Sequence, residues 1–264
     1  MRRTRAGAIL RVPIPECGRM LSEARTILVT GGTSGIGLEL VYLLHGMGHR
    51  LLVVARSPQR LAQLRLRLPG VDTYACDLAV PDELERLWGQ VTAHHPGISI
   101  VINNAAVQST ARFTDPDFDD DSITREIAVN FVAPARMARL AIALFQADGR
   151  SSAIVNVSSG LALFPKSDAA VYCATKAALH SLSQGLRYQL EGRSTAVVEA
   201  ILPMVDTPMT AGRGTGKIGA AQAAAEIVAG IAAGKTEVYV GKARWLPWLA
   251  RIAPAIPRAI LRRG

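Results

Sequence analysis

The stretch TILVTGGTSGIG, residues 26–37, decides the fold of this chain. Its first five residues are apolar or β-branched and predict a buried strand, and a helical pattern begins at Gly35. Between the two, a glycine turn lets the backbone approach a phosphate, which the positive end of the helix attracts. We expect Gly31 to form the turn, Gly35 to admit a pyrophosphate and Gly37 to let the helix pack closely on the sheet. A glycine-rich turn without a ligand is the alternative interpretation.

Short β-rich runs alternate with longer helical patterns along the body of the chain. Continuous apolar strands indicate a sheet covered on both faces, and the alternation indicates right-handed βαβ units. We predict one α/β domain with a doubly wound Rossmann fold, a single parallel sheet of about seven strands with helices on both faces. The predicted strands are Thr26–Thr30, Arg50–Ala55, Asp72–Ala75, Ile98–Ile102, Ala153–Val157, Ala196–Leu202 and Glu237–Val240. The predicted helices are Gly35–Met47, Pro58–Leu68, Pro81–His94, Ile123–Phe145, Ala169–Glu191 and Gly219–Ala233.

The net charge of +9 over 264 residues is concentrated at the two ends of the chain. Residues 1–25 contribute +4 and residues 235–264 contribute +6, which leaves −1 for the middle. Because the middle is neutral and aromatic residues make up only 5 % of the chain, we expect no nucleic-acid partner. Three scattered cysteines and the absence of a secretory signal indicate a reducing, cytoplasmic location.

The charge pattern divides the chain into three parts. Residues 1–25 are predicted to be a basic, flexible extension, in which Met20 is an alternative translation start. Residues 26–241 form the nucleotide-binding catalytic domain, and residues 242–264 form a basic amphipathic tail. In that tail arginines recur every seven residues with apolar residues between them. This pattern suits packing over an active-site mouth, contact with a partner subunit, or peripheral membrane contact, and the sequence leaves these alternatives open.

The carboxyl end of the second predicted strand reads Ala55-Arg56-Ser57. A site that recognises a ribose 2′-hydroxyl needs a carboxylate at this place, whereas a guanidinium can bind a 2′-phosphate through two hydrogen bonds. Arg56 therefore favours a phosphorylated dinucleotide. The alternative is a solvated surface arginine.

Tyr172 and Lys176 stand four residues apart in a helical stretch, so that their side chains share one face. We expect the Lys176 ammonium to lower the pKa of Tyr172 below its ordinary value of about 10. Such a pair suits proton transfer to a carbonyl that accepts a hydride. Ser159 follows a predicted strand at the carboxyl edge of the sheet, where its hydroxyl can hydrogen-bond a carbonyl oxygen.

Together these residues resemble those of the short-chain dehydrogenase/reductase family, and the resemblance extends over residues 26–241. The matching motifs, in the family's order and at its spacings, are Thr30-Gly31-x₃-Gly35-Ile36-Gly37, Asp77-Leu78, Asn103-Asn104-Ala105-Ala106, Asn130, Ser158-Ser159, Tyr172-x₃-Lys176 and Val205-Asp206-Thr207. Two departures are Ala106, where the family usually has glycine, and Leu202-Pro203, where it usually has Pro-Gly. Because proline fixes φ near about −65°, the second departure predicts a different loop at the nicotinamide.

The resemblance implies a role for each catalytic residue. Tyr172 would be the general acid in reduction and the general base in oxidation. Lys176 would lower the pKa of Tyr172 and hold the nicotinamide ribose, and Ser159 would orient the substrate carbonyl. Asn130 would help to position a water in the proton relay.

The resemblance also implies a set of residues that bind the cofactor. Asp77 and Leu78 would border the adenine, whereas Val205 and Thr207 would meet the nicotinamide carboxamide and the phosphates. The full set is Gly31, Thr33, Ser34, Gly35, Ile36, Gly37, Arg56, Asp77, Leu78, Asn104, Ala105, Tyr172, Lys176, Val205 and Thr207.

We therefore expect an NAD(P)-dependent oxidoreductase that interconverts a carbonyl and an alcohol, with NADP(H) preferred and NAD(H) as the alternative cofactor. The expected partners are a small-molecule substrate and further copies of the chain, in a homodimer or homotetramer. A non-catalytic dinucleotide-binding sensor is the alternative function, and the complete Ser–Tyr–Lys set argues against it. A serine hydrolase is disfavoured because the chain has no Gly-x-Ser-x-Gly. No metal site is expected, because His45 and His49 lack a third ligand.

Overall fold

A computed structural model describes residues 20–252 of the chain. Within them, seven strands form one parallel sheet, and two strands of two residues each pair separately. The strands in chain order are β1 (Thr26–Thr30), β2 (Arg50–Ala55), β3 (Asp72–Ala75), β4 (Ile98–Asn103), β5 (Ser152–Ser159), β6 (Thr195–Leu202), β7 (Val205–Asp206), β8 (Ile218–Gly219) and β9 (Glu237–Tyr239).

Helices connect these strands. In chain order they are α1 (Gly35–Gly46), α2 (Pro58–Arg67), α3 (Pro81–His94), α4 (Asp120–Ile127), α5 (Ala133–Asp148), α6 (Ala170–Gln189), α7 (Ala220–Ala232) and α8 (Leu246–Ile252). A π-helical turn of five residues, Ala128–Val132, joins α4 to α5 without a break.

The seven strands of the main sheet lie in the order β3-β2-β1-β4-β5-β6-β9, and every pairing is parallel. The predicted doubly wound parallel sheet is therefore confirmed. The strand order reverses at β1, which has β2 on one side and β4 on the other. In sheets of this kind the ligand crevice lies outside the carboxyl edge at the reversal. The glycine turn after β1 is placed at that point.

Apolar side chains cover both faces of the sheet. Ile27 belongs to a buried cluster that includes Leu40 of α1 and Ile227 of α7. The next residue along the strand, Leu28, belongs to a second buried cluster that includes Phe145 of α5. Because successive side chains of a strand point to opposite faces, a strand buried on both sides needs a continuous apolar run. This explains why TILVT and LLVVA show no polar alternation.

The helix α4, the π-turn and α5 form one continuous helix of 29 residues, Asp120–Asp148. Its most apolar window has a mean hydropathy of 1.5, so that by length and composition alone it is long enough to cross a membrane. Its side chains Met137, Ala141 and Phe145 are at most 2 % exposed and pack against the sheet. Of this apolar window 39 % is buried inside the protein, so part of its apolar character belongs to the core.

The described structure differs from the sequence-based expectation at the N-terminal extension. Met20 and Leu21, which we assigned to a flexible segment, are 1 % and 8 % exposed and belong to the core. Arg25 Nε donates a hydrogen bond to Met20 O, which ties this part of the chain to the body. Residues 1–19 of the extension and residues 253–264 of the tail lie outside the described residues.

Candidate functional site

The glycine turn requires glycine at three places. Gly31 and Gly35 have φ values of 68° and 52°, which L side chains rarely adopt. A methyl group built on Gly37 would lie 2.3 Å from Gly31 O, so no larger residue fits there. The turn leaves the first amides of α1 without helical partners at the carboxyl edge of the sheet, where they stabilise an anion.

Thr30 and Asn104 join the glycine turn to the end of β4. Thr30 Oγ1 accepts hydrogen bonds from the backbone N–H groups of Asn104 (3.0 Å) and Ala105 (3.1 Å). Asn104 Nδ2 donates to Thr30 O at 3.0 Å. Ala106 fits without strain, because no non-glycine residue between positions 20 and 252 has a positive φ. The departure from glycine at this position is therefore tolerated by the backbone.

A cavity of about 780 Å³ lies along this edge and joins the glycine turn to Tyr172 and Lys176. The predicted site residues that line it are Gly31, Thr33, Ser34, Gly35, Ile36, Gly37, Arg56, Asp77, Leu78, Asn104, Ala105, Tyr172, Lys176 and Thr207. Val205 does not line it, since its side chain is 4 % exposed and β7 pairs with β8. Ser159 and Asn130 also lie outside the lining, although both neighbour residues within it.

The walls of the cavity fit a dinucleotide. The amides at the start of α1 suit a pyrophosphate, and Lys176 at the other end supplies a buried amine. Ser158 Oγ, in a residue 2 % exposed, lines the cavity and has no hydrogen-bond partner among the described residues. A buried hydroxyl without a partner costs free energy that a bound polar ligand would recover. These residues therefore fit the group that the glycine motif implies.

Two arginines stand at the end of the cavity beside β2. Arg56 and Arg60 are both exposed and both line it, and Ser57 lies between them in the chain. Ser57 Oγ accepts a hydrogen bond from Arg60 N, which caps α2 and places Arg60 in its first turn. Sequence reasoning missed Arg60. The serine cap, one helical turn before a second cation, was the signal that could have found it.

Asp77 is held from two sides at the same end of the cavity. Arg125 Nη2 lies 3.0 Å from Asp77 Oδ2, and the backbone N–H of Asp77 donates to Glu83 Oε2 at 2.7 Å. Burial opposes ionisation of the Asp77 carboxyl, but hydrogen bonds from Ala79 and Arg125 outweigh it and lower its pKa. Arg56 lowers that pKa further. Asp77 is thus a fixed anion paired with Arg125 and close to Arg56.

Ser159, Tyr172 and Lys176 come together at the other end. The Ser159 hydroxyl, at the end of β5, interacts with that of Tyr172 on α6, and this interaction favours the phenolate. Lys176 lies one turn further along α6 and is 3 % exposed. Its Nζ donates to Val157 O at 2.9 Å and stands 5.6 Å from the centroid of the Tyr172 ring.

The prediction that the pKa of Tyr172 is lowered is wrong when only the groups of the protein act on it. Burial raises the pKa of the Tyr172 hydroxyl above its ordinary value, and the charges of Cys173 and Glu126 raise it further. The Ser159 hydroxyl and the charge of Arg213 oppose this rise without overcoming it. Loss of water around the phenol outweighs nearby polar groups because the phenolate is the form that needs solvation. At neutral pH Tyr172 therefore carries its proton.

The pKa of Lys176 changes in the opposite direction. Burial lowers it to about 8, and the charge of Glu199 offsets part of this effect. The amine therefore titrates close to neutral pH.

Asn130 is fully buried in the π-turn. Its Oδ1 accepts a hydrogen bond from Val107 N at 2.9 Å, and its Nδ2 donates to Val107 O at 2.8 Å and to Thr175 Oγ1 at 3.2 Å. Both polar atoms of the side chain are thus occupied by the protein. Asn130 holds the segment after β4 against α6.

The tail reaches the catalytic end of the cavity. A methyl group built on Gly160, the residue after Ser159, would lie 2.6 Å from Leu246 Cδ1. Trp245 and Trp248 point outward and are each 59 % exposed. Leu246 therefore packs against the residue that follows Ser159, and the role of the tail stays a prediction.

His49, one of the two histidines at helical spacing, is packed inside the protein. His49 is 4 % exposed, and its Nδ1 accepts a hydrogen bond from Arg25 N at 3.2 Å. In the part of the chain from residue 20 to residue 252, no three His, Cys, Asp or Glu side chains are grouped to hold a metal ion.

Comparison with known proteins agrees with this arrangement. A family model described as "short chain dehydrogenase" matches residues 25–217. "Uncharacterized oxidoreductase DltE" from Bacillus subtilis (strain 168) is 40 % identical over 185 residues, which cover 69 % of this chain and 72 % of the relative. "L-xylulose reductase" from Bos taurus is 33 % identical over 186 residues, covering 70 % and 73 % of the two chains. The solved structure "Short-chain dehydrogenase from Sphingobium yanoikuyae in complex with NADPH" superposes with a TM-score of 0.77 at 26 % identity, covering 88 % and 94 %.

Proposed function

Because this chain belongs to the short-chain dehydrogenase/reductase family and is an NAD(P)-dependent oxidoreductase, we propose that it interconverts a carbonyl and an alcohol with NADP(H), with Tyr172 as the acid/base. The observation that carries the proposal is the single cavity that joins the glycine turn and Arg56 to Tyr172 and Lys176.

The preference for NADP(H) rests on Arg56 and Arg60. Both guanidinium groups line the end of the cavity beside β2, where the adenosine ribose binds in folds of this kind. The neighbouring carboxylate, Asp77, is already paired with Arg125, so it does not neutralise both arginines. A 2′-phosphate would meet two cations here. The relative solved with NADPH supports the same choice.

Each catalytic residue acts through an atom at the catalytic end of the cavity. NADPH, when bound, supplies the hydride that reduces the carbonyl carbon. Tyr172, which is protonated at neutral pH, donates its hydroxyl proton to the carbonyl oxygen, and the Ser159 hydroxyl orients that oxygen by a hydrogen bond. Lys176 holds the nicotinamide ribose through its buried amine. Asn130 keeps the facing segment in place through Val107.

The substrate is a small-molecule carbonyl or alcohol. Met209 lines the cavity, so the wall on the side of the short pair β7–β8 is partly apolar and adaptable. One relative is named "L-xylulose reductase", which supports a small carbonyl compound as the substrate. We propose an uncharged carbonyl compound as the substrate class.

Binding and turnover test this function in two steps. A fluorescence titration with NADPH measures cofactor binding, and a panel of uncharged ketones and aldehydes is then scored by loss of NADPH absorbance. A chain that binds NADPH and reduces members of the panel supports the proposal. A chain that binds NADPH but reduces none supports the sensor alternative.

The low pKa of Lys176 predicts a pH-dependent stability. Between about pH 8 and its ordinary pKa of 10.5, the unfolded chain binds a proton that the folded chain does not. The free energy of unfolding therefore rises with pH in this window. From about pH 7 to about pH 9.5 it should rise by about 2 kcal/mol more in the wild type than in Lys176→Met, as measured by urea unfolding without cofactor. If the free energy of unfolding changed equally with pH in the wild type and in Lys176→Met, the lowered pKa of Lys176 would be contradicted.

Leu246 is predicted to contribute to substrate binding. Leu246→Ala should raise KM for the carbonyl about tenfold and leave the Kd of NADPH unchanged, because it removes an apolar side chain beside Gly160. Trp248→Ala is the control, since Trp248 lies on the same helix and is exposed. If α8 were instead a membrane anchor, Trp248→Ala would weaken binding to anionic liposomes and Leu246→Ala would leave KM unchanged.

We also propose that copies of the chain associate in the cytoplasm as a homodimer or homotetramer, as members of this family generally do. An apolar groove on the outer faces of α4 and α6 supports this. Phe113, Ile127 and Val171 line the groove, and Phe113 and Ile127 are 62 % and 42 % exposed. Light scattering of the purified chain measures the assembly, and a monomeric mass would contradict it.

A further inference from the structure

Glu126 is a buried carboxyl that the proposed reaction does not use. It is the only buried residue of α4 and is 2 % exposed. Its Oε1 accepts a hydrogen bond from the backbone N–H of Ser109, and its Oε2 is buried without a hydrogen-bond partner among the described residues. No described Lys or Arg forms an ion pair with it. Burial raises its pKa, which the Ser109 hydrogen bond only partly offsets.

Such an arrangement is poor for stability. A buried carboxyl with one hydrogen bond and no cation costs more free energy than an apolar side chain of the same size. We therefore explain the presence of a carboxyl at this buried position by the chain segment to which Glu126 is hydrogen-bonded.

Glu126 holds the chain segment that forms one wall of the cavity. The segment Val107–Ser109 leaves the end of β4, and Val107 lines the cavity together with Tyr172 and Lys176. Two side chains that lie four residues apart on one helix form hydrogen bonds with the backbone of this segment. Asn130 binds it at Val107, and Glu126 binds it at Ser109. Residues at this spacing lie on the same helix face, so the two form a clamp.

The clamp is also close to the acid/base. Asn130 Nδ2 also donates a hydrogen bond to Thr175 Oγ1, and the Thr175 hydroxyl donates to the backbone oxygen of Tyr172 at 2.7 Å. Helix α4 packs against α6, and the charge of Glu126 raises the pKa values of both Tyr172 and Cys173. The wall at Val107–Ser109 and the catalytic tyrosine are thus fixed to one another through α4 and the π-turn.

We propose that Glu126 is a positioning residue for carbonyl reduction, which acts by holding the Val107–Ser109 wall at a fixed distance from Tyr172. The inference rests on the proposed function. Loss of the clamp lets the wall move and misaligns the carbonyl, while the nucleotide end of the cavity is untouched. Small misplacements of reacting groups are costly to rate but not to cofactor affinity.

Three variants test the clamp. Glu126→Leu removes the acceptor, Glu126→Gln keeps a carbonyl that accepts from Ser109 N–H, and Asp121→Leu removes an exposed carboxylate from the same helix as a control. Each is measured by amide hydrogen exchange over residues 105–112, by the Kd of NADPH and by kcat with the best carbonyl of the panel. Glu126→Leu should speed exchange at Ser109 about tenfold and lower kcat about tenfold to a hundredfold, with Kd unchanged. Glu126→Gln and Asp121→Leu should stay within about threefold of the wild type.

A variant on the other side of the hydrogen bond guards against a folding defect. Ser109→Pro removes the N–H that donates to Glu126, and Ser109→Ala, which keeps this N–H, controls for the loss of the Ser109 hydroxyl that accepts from Ala111 N. Ser109→Pro should lower kcat as Glu126→Leu does, Ser109→Ala should not, and the double variant Glu126→Leu/Ser109→Pro should lose no more than either single one. Full kcat in Glu126→Leu, or a Glu126→Gln as slow as Glu126→Leu, would overturn the inference. A wild type that binds NADPH and reduces no carbonyl contradicts the proposed function, whereas an active wild type beside an equally active Glu126→Leu contradicts this inference alone.

Discussion

Tyr172→Phe is expected to bind NADPH with wild-type affinity and to reduce its best carbonyl with a kcat lower by about 10²–10⁴. The substitution removes only the hydroxyl and keeps the ring that packs beside Lys176. The structure strengthens the expectation, because burial keeps the Tyr172 proton in place at neutral pH, where reduction needs it. Steady-state kinetics and a fluorescence titration on the same preparation separate the two effects.

Tyr188→Phe is the matched control for that variant. Tyr188 lies on the same helix, is 76 % exposed and lies outside the cavity lining. It should retain full kcat. A Tyr172→Phe variant with near wild-type kcat would show that another group delivers the proton.

Arg56→Ala combined with Arg60→Ala is expected to weaken NADPH binding about tenfold to a hundredfold and to leave NADH binding within about twofold. The reason is that a charged hydrogen bond to the 2′-phosphate is available only to NADPH. The two Kd values are measured by fluorescence titration at low and high salt, since the NADPH contact should weaken with ionic strength.

Arg67→Ala serves as the control, because it removes a cation from the far end of α2. The single variant Arg56→Ala divides the effect between the two arginines, because it should retain part of the preference for NADPH over NADH. Equal wild-type affinities for NADPH and NADH would contradict the assignment of this end of the cavity.

The sheet could be predicted because its strands are buried on both faces. β1 and β2 have the predicted bounds, since their apolar runs stop where a glycine turn or a helix cap begins. The site was predictable for a related reason. Gly31, Gly37 and Asn104 pack so closely that no side chain fits at the two glycines, and the motif therefore predicts the geometry of the turn.

Other features depend on contacts between distant residues, and the sequence does not signal them. The π-turn at Asn130 interrupts what reads as one α-helix, since nothing local distinguishes it from an α-turn. The pairing of Val205 with Ile218 needs two short segments to meet, and it removes Val205 from the cavity. The burial of Tyr172 is a property of its surroundings, so the direction of its pKa shift could not be obtained from the spacing to Lys176.

The contact between Leu246 and Gly160 has a consequence for the order of events during synthesis. The glycine turn at residues 31–37 is synthesised long before Leu246, whose side chain lies against Gly160. A nascent chain can therefore assemble its nucleotide end before its catalytic end is closed. The packing of Leu246 against Gly160 therefore forms only after α8 has been synthesised.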